Sequence, residues 1–259
     1  MSSPTPEFVR APVDGPCVAV FTTRRGGSSH GPYAALNLGG TVEDAPADVA
    51  ANRQAVCAAL GVDPKSVVVG RQVHGAHVRH VGSGELPSPF LDAPHVWRDG
   101  DGLVSSLPGV GVGVFAADCL PVLLWRRDLP KVAAVHAGWR GLVAGILEGA
   151  VTQLGPAARL GAAIGPGIGP CCYPVSVEIR DRFVARFGEQ VLAGDAVDLV
   201  GAARAALVGA GLAASAVWAL ETCTSCDGDR WFSFRRDGAP TGRQLGLIWP
   251  ISSSVWTGP

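Results

Sequence analysis

Short apolar runs of strand length recur along the chain, separated by stretches whose apolar positions follow helical spacing. Residues 17–22, 67–69, 110–115, 120–125, 131–135, 160–164, 216–220, 231–234 and 245–249 are nearly unbroken apolar segments, the pattern of buried strands. The pair 110–115 and 120–125 is either one long strand or two strands broken at 116–119. Residues 77–81 alternate and predict an exposed hairpin arm. Helices are predicted over 47–60, 138–154, 175–187 and 199–210, with Gly61 and Gly211 as stops for the first and last. Residues 1–15 predict a loose lead-in. The Pro/Gly/Ser/Asp-rich stretch 82–100 predicts a long surface loop. No repeat or linker divides the sequence, so the expectation is one α+β domain over 1–259, a layered α/β sandwich around a mixed sheet.

Composition narrows the classes. The chain has 259 residues, 47% hydrophobic and 17% charged, enough for a sizeable core. A net charge of −1 carries no electrostatic footprint for nucleic acid or a membrane surface. The most apolar stretch, 110–125, is interrupted by Asp118, Pro121 and two glycines, too broken and short to span a bilayer. The N-terminal residues lack the pattern of a secretory signal, and seven cysteines make an odd number without a disulfide framework. A reduced, cytoplasmic protein is expected, as a monomer or homodimer.

Three metal-ligating side chains stand at strand ends: His74, Cys119 and His136. One thiolate and two imidazoles without a fourth ligand fit catalytic zinc with an open position, and the same donors can bind copper. Alternatively, Cys119 is a nucleophile activated by His136, which would make a cysteine hydrolase. Asp118 points away from Cys119 if the strand is regular. It then serves as a carboxylate partner of a histidine, or as a general base if the strand is distorted. Arg140 opens a predicted helix and suits an oxyanion or phosphate. The loop from Arg24 to Ser28 is a second anion candidate. Cys171, Cys172, Cys223 and Cys226 suggest a four-cysteine zinc site. Adjacent cysteines do not easily face one tetrahedral metal, so small residues near a turn are the favoured reading.

The segments RQVHG (71–75), ADCLPVLL (117–124) and AAVHAGWRG (133–141) resemble the YfiH or laccase-domain family. So do GPYAALNLG (31–39), DGLVS (101–105), IGPGIGPCCYPV (164–175) and FSFRRDG with TGRQ (232–244), over nearly the whole chain. The resemblance implies a single-domain α/β fold and a zinc site of His74, Cys119 and His136. It implies phosphorolysis of adenosine, inosine and S-methyl-5'-thioadenosine, and deamination of adenosine. Other labels carried by the family are copper-dependent polyphenol oxidase and peptidoglycan editing factor. By their chemistry Asp118, as a proton shuttle, and Arg140, as a phosphate holder, are the catalytic candidates for those reactions. Arg24, Ser28, Asn37, Gln72 and Arg243 are candidates for binding purine nucleoside and phosphate. Only six histidines in the chain argue against multicopper laccase chemistry. The stretch between His74 and Cys119 is longer than the family pattern leads one to expect. Its extra residues, among them Pro87, Pro89, Pro94, His95 and Trp97, would cap or border the site.

Overall fold

In the computed structural model, residues 5–85, 89–91, 94 and 97–251 are described. They form two mixed β-sheets packed face to face, with helices on the outer faces. The first sheet has β1 (Phe8–Arg10), β2 (Cys17–Thr22), β3 (Val67–Val69), β6 (Gly111–Ala116) and β13 (Gln244–Pro250), in the order β1-β2-β13-β6-β3. The second has β4 (Val78–His80), β5 (Gly102–Ser105), β7 (Leu120–Arg126), β8 (Val132–Ala137), β9 (Leu160–Ile164) and β12 (Val217–Ala219), in the order β12-β9-β7-β8-β5-β4. A short ribbon joins β10 (Leu192–Ala193) to β11 (Ala196–Val197).

Ala19, Phe21, Val112 and Val114 of the first sheet face Leu123, Trp125, Ala134 and Ala163 of the second. The outer face of the first sheet, through Val20, Val69, Leu245 and Leu247, packs on Val56 and Cys57 of helix α1 (Pro46–Leu60). The outer face of the second, through Val122, Leu124, Ala133 and Val135, is covered by helices α3 (Ile146–Leu154), α4 (Val177–Phe187) and α5 (Leu199–Gly209). Central strands buried on both faces need apolar residues at every position, which is why they appear as continuous runs. No described helix is long and apolar enough to cross a membrane.

Several elements differ from the sequence reading. Of the two alternatives for 110–125, two strands is the one found, β6 ending at Ala116 and β7 beginning at Leu120; the sequence pattern does not predict that they lie in different sheets. The helix predicted over 138–154 breaks at Gly145, whose φ of 84° ends α2 (Trp139–Val143) before α3. Residues 78–80 are an edge strand parallel to β5, not a hairpin arm. Residues 8–10 of the supposed lead-in pair with β2. Residues 231–234 are not a strand. Trp231 and Phe232 are buried in irregular backbone, and the Ser233 hydroxyl caps helix α6 (Phe234–Asp237) by accepting from Arg236 N–H. The 82–100 segment is only partly a surface loop: Phe90 and Trp97 are buried against the first sheet and α1. Pro87 and His95 lie outside the described residues.

Candidate metal centre and its cavity

The parallel strands β3 and β6 end at the same edge of the first sheet. There the chain passes through Ala117, Asp118 and Cys119 into β7 of the second sheet. His136 is the penultimate residue of β8 and pairs with Pro121. The segment after β3 is drawn to the same edge by Gln72, whose amide donates to Phe115 O at 2.7 Å and accepts from Phe115 N–H at 2.8 Å. This brings His74, Cys119 and His136 together, with their donor atoms all within 4.8 Å of one another. His74 and Asp118 are the only described non-glycine residues with positive φ, at 58° and 99°. Such backbone is costly for an L-residue, and both instances lie at this centre.

A buried carboxylate organises the cluster. Asp101 accepts from the backbone N–H groups of Val73, His74 and Gly75 at 3.1, 2.9 and 2.9 Å. Its Oδ1 also pairs with His136 Nδ1 at 2.9 Å. In the neutral ring, that bond places the proton on Nδ1 and leaves Nε2 as the lone-pair donor. Burial opposes ionisation of Asp101, but the His136 ring and the Gly75 and Val73 N–H groups prevail and hold its carboxyl below the usual range. Burial alone would push the Cys119 thiol up, yet the His136 and His74 imidazoles bring it down to about 6. Burial likewise disfavours the His136 imidazolium, but the Cys119 thiolate and Asp101 raise it to about 9. A thiolate available at neutral pH is the form that binds metal. Gly138 completes the fit: a Cβ there would lie 2.9 Å from Cys119 Sγ and 3.8 Å from His74 Cδ2. The donor set, its spacing and its carboxylate partner therefore suit one metal ion with an open coordination position.

The centre opens into a cavity of about 480 Å³. Its walls carry Phe115, Trp97, Trp139, Tyr173 and Phe234, together with Arg140, Arg235 and Arg243; the Arg235 guanidinium donates to Pro174 O and that of Arg243 to Thr241 O and Gly242 O. Trp97 and Phe115 stack with ring centroids 5.6 Å apart. Arg140 lies over the Trp139 ring at 4.5 Å, and Arg235 over Tyr173 at 4.9 Å. Burial pushes the Tyr173 phenol up to about 12, so it stays protonated as a hydrogen-bond donor.

Comparison with known proteins places this arrangement in a family. A family model described as multi-copper polyphenol oxidoreductase laccase matches residues 18–251. The chain belongs to this laccase family. It is 38% identical over 256 residues to a purine nucleoside phosphorylase of Deinococcus radiodurans, covering 96% of this chain and 94% of that protein. It is 36% identical over 244 residues to the purine nucleoside phosphorylase YfiH of Escherichia coli, covering 90% and 93%. The crystal structure of YlmD from Geobacillus stearothermophilus superposes with a TM-score of 0.87 at 33% identity, covering 93% of this chain and 94% of that one.

In this laccase-family chain the predicted site residues separate into two groups. His74, Cys119, His136, Asp118, Arg140, Gln72 and Arg243 all line the cavity. Arg24 and Ser28 are not among its lining residues. The Arg24 guanidinium donates to Ala34 O and Gly228 O, and Ser28 N–H donates to Asn52. Asn37 is buried and bonded to Asp44 and Gly39, and its Oδ1 accepts from Arg243 N–H, so it positions that arginine's backbone. The Gln72 amide spends one donor and one acceptor position on Phe115 and keeps the others. Asp118 is not the carboxylate partner of a histidine; Asp101 holds that place. The Asp118 oxygens instead accept from Thr224 Oγ1 and Arg235 N–H, each at 2.6 Å. Sequence reasoning missed Asp101, Arg235, Tyr173 and Phe234. For Asp101 the available signal was an Asp-Gly pair opening a buried strand directly after a long loop.

Proposed function

We propose that this protein is a purine nucleoside phosphorylase whose His74–Cys119–His136 centre holds zinc. Adenosine, inosine and S-methyl-5'-thioadenosine are its proposed substrates, with deamination of adenosine as a second activity. The observation that carries this reading is the meeting of an open three-donor centre, three arginines and aromatic walls in one cavity. The names of the Deinococcus and Escherichia relatives support it. Bound zinc would supply a Lewis acid with one position open.

The chain's own residues provide the remaining chemistry. Arg140, Arg235 and Arg243 offer planar, permanently charged donors for a phosphate. Trp139, Tyr173 and Phe234 give flat apolar faces for a purine. Asp118 has one acceptor position of each oxygen engaged, by Thr224 and Arg235. The remaining capacity lets it take a proton from substrate or deliver one. Asp101 holds His136 in the ligating tautomer throughout.

The competing copper oxidase reading uses the same three donors, but multicopper chemistry needs many more histidines than the six in this chain. The deciding experiment is nucleoside turnover with and without phosphate, analysed for free base and ribose phosphate, alongside metal content and oxygen uptake. Phosphate-dependent release of base by the zinc-loaded protein is expected. No phosphate-dependent release from any purine nucleoside, or oxygen consumption with phenols by copper-loaded protein alone, overturns the proposal.

A further inference from the structure

A second cluster of metal-ligating side chains lies apart from the His74–Cys119–His136 trio. Cys171 and Cys172 come from the 3-10 turn Pro170–Cys172, and Cys223 and Cys226 from the loop after β12. Their four sulfurs lie within 4.8 Å of one another. Cys226 Sγ is 3.6 Å from Cys171 Sγ and 3.4 Å from Cys172 Sγ. The sequence favoured small residues near a turn because adjacent cysteines rarely face one ion. The turn removes that objection. A 3-10 helix has three residues per turn, so successive side chains are rotated by about 120°, not placed on opposite faces as in a strand. Nor do these cysteines behave as small core hydrophobes: Cys171 and Cys226 are exposed, while Cys17 and Cys57 are the buried ones.

We infer that Cys171, Cys172, Cys223 and Cys226 bind one structural zinc ion, separate from the centre in the cavity. A tetrahedral zinc with sulfur ligands at about 2.3 Å holds those sulfurs about 3.8 Å apart, close to the 3.6 and 3.4 Å seen from Cys226 and inside the 4.8 Å that bounds all four. The surroundings suit an anionic tetrathiolate. Gly169 N–H donates to Cys223 Sγ at 3.2 Å. Two guanidinium groups are anchored on the same loops: Arg236 donates to Thr224 O at 2.7 Å, and Arg235 to Pro174 O at 3.1 Å. Gly169 leaves room for this convergence, because a Cβ there would lie 3.2 Å from Cys223 Cβ and 3.4 Å from Cys171 Sγ.

The ion would fasten two loops that share little regular structure, through Gly167 paired with Cys223 and Thr224 N–H bonded to Gly167 O at 2.9 Å. The first loop lines the cavity through Tyr173, and the second is bonded to a cavity residue, Asp118. Tyr173 follows Cys172 directly, and Thr224 donates to Asp118. The zinc thus holds one wall of the cavity without reaching the reacting groups.

The test uses full-length protein purified with reductant from zinc-supplemented culture. Zinc content is measured for wild type, for His74→Ala/Cys119→Ser and for Cys223→Ser, and zinc X-ray absorption is recorded on the first variant. Two zinc ions per wild-type chain are expected. The double variant should keep one, with a sulfur-only shell at about 2.3 Å. Cys223→Ser should keep one with mixed nitrogen and sulfur ligands. If that variant fails to fold, the double variant alone decides. A double variant without metal, one that holds iron there, or a disulfide linking Cys226 to Cys171 or Cys172 under the same reducing conditions overturns the inference.

Discussion

Asp101→Asn tests the organisation of the centre more sharply than removal of a ligand does. The substitution keeps the shape and takes away one acceptor. In the wild type, Oδ1 accepts from His74 N–H and His136 Nδ1, and Oδ2 accepts from Val73 N–H and Gly75 N–H. An asparagine has two settings there. With its NH2 toward Val73 and Gly75, two backbone donors face a donor and both bonds are lost. With its NH2 toward His136, the imidazole must accept at Nδ1 and carry its proton on Nε2, which removes the lone pair that ligates. Hydrogen bonds to a charged acceptor are worth about 1.5–3 kcal/mol each, so losing two costs about 3–6 kcal/mol before relaxation. Loss of such a partner typically weakens metal binding about 10–100-fold. Urea unfolding of metal-free protein reads the first effect and chelator competition reads the second. The pH dependence adds a sign. Asp101 ionises more readily folded than unfolded. Its stabilisation is therefore complete above the unfolded value of about 3.9 and is lost as pH falls through the lower folded value. The variant should lack that acid limb. An Asp101→Asn protein with wild-type urea midpoint and metal affinity within about twofold of wild type would refute the role assigned to this carboxylate.

The other expectations address single features of the site. Gly138→Ala should fold, because φ −77° and ψ 170° suit any residue, yet its methyl meets Cys119 Sγ at 2.9 Å; metal content should fall while the circular dichroism spectrum is kept, and full loading would contradict the steric reading. In chelator-treated protein, Cys119 should alkylate with an apparent value near 6, its rate rising as pH climbs through that point; peptide mass spectrometry isolates this residue, and a rise only near the ordinary thiol value of about 8.5 would remove the imidazole effect. Arg140→Ala, at an exposed position, should raise the KM for phosphate roughly ten- to a hundredfold, equivalent to about 1.5–3 kcal/mol, with little change in melting temperature. Arg24→Ala should do the reverse, losing about 1–3 kcal/mol of stability with its bonds to Ala34 O and Gly228 O and leaving that KM alone.

Much of the fold is written in the apolar runs, but the runs do not say which sheet a strand joins. In β6 and β7 every residue is buried, so neither shows the alternation that would reveal a face. The three residues between them, Ala117, Asp118 and Cys119, contain no glycine or proline to mark a turn. The change of sheet is achieved instead by the positive φ of Asp118, a conformation that residue type signals only weakly. The error over 231–234 has a related origin: aromatic residues suit strands, yet Trp231 and Phe232 satisfy burial without a partner strand, and Ser233 makes a better helix cap than strand residue.

The candidate site shows a sharper division. His74, Cys119 and His136 were recoverable because few side chains ligate soft or borderline metals, and each stands beside or shortly after an end of an apolar run. Asp101 has no such signature: aspartate is common, and its partners lie 26–35 positions away. The arginines show why residue chemistry alone misleads. Arg24 and Arg235 have the same side chain and both stand beside a second arginine, but only one lines the cavity. What separates them is the backbone that receives each. Both guanidinium groups donate to carbonyls, Arg24 to Ala34 O and Gly228 O and Arg235 to Pro174 O, but the Arg235 N–H is held by Asp118, the residue whose strained backbone also delivers Cys119 to the candidate metal centre. One conformational choice at Asp118 therefore sets the thiolate and a cavity-lining arginine together. Any substitution there that relaxes φ to the negative side should disturb both at once.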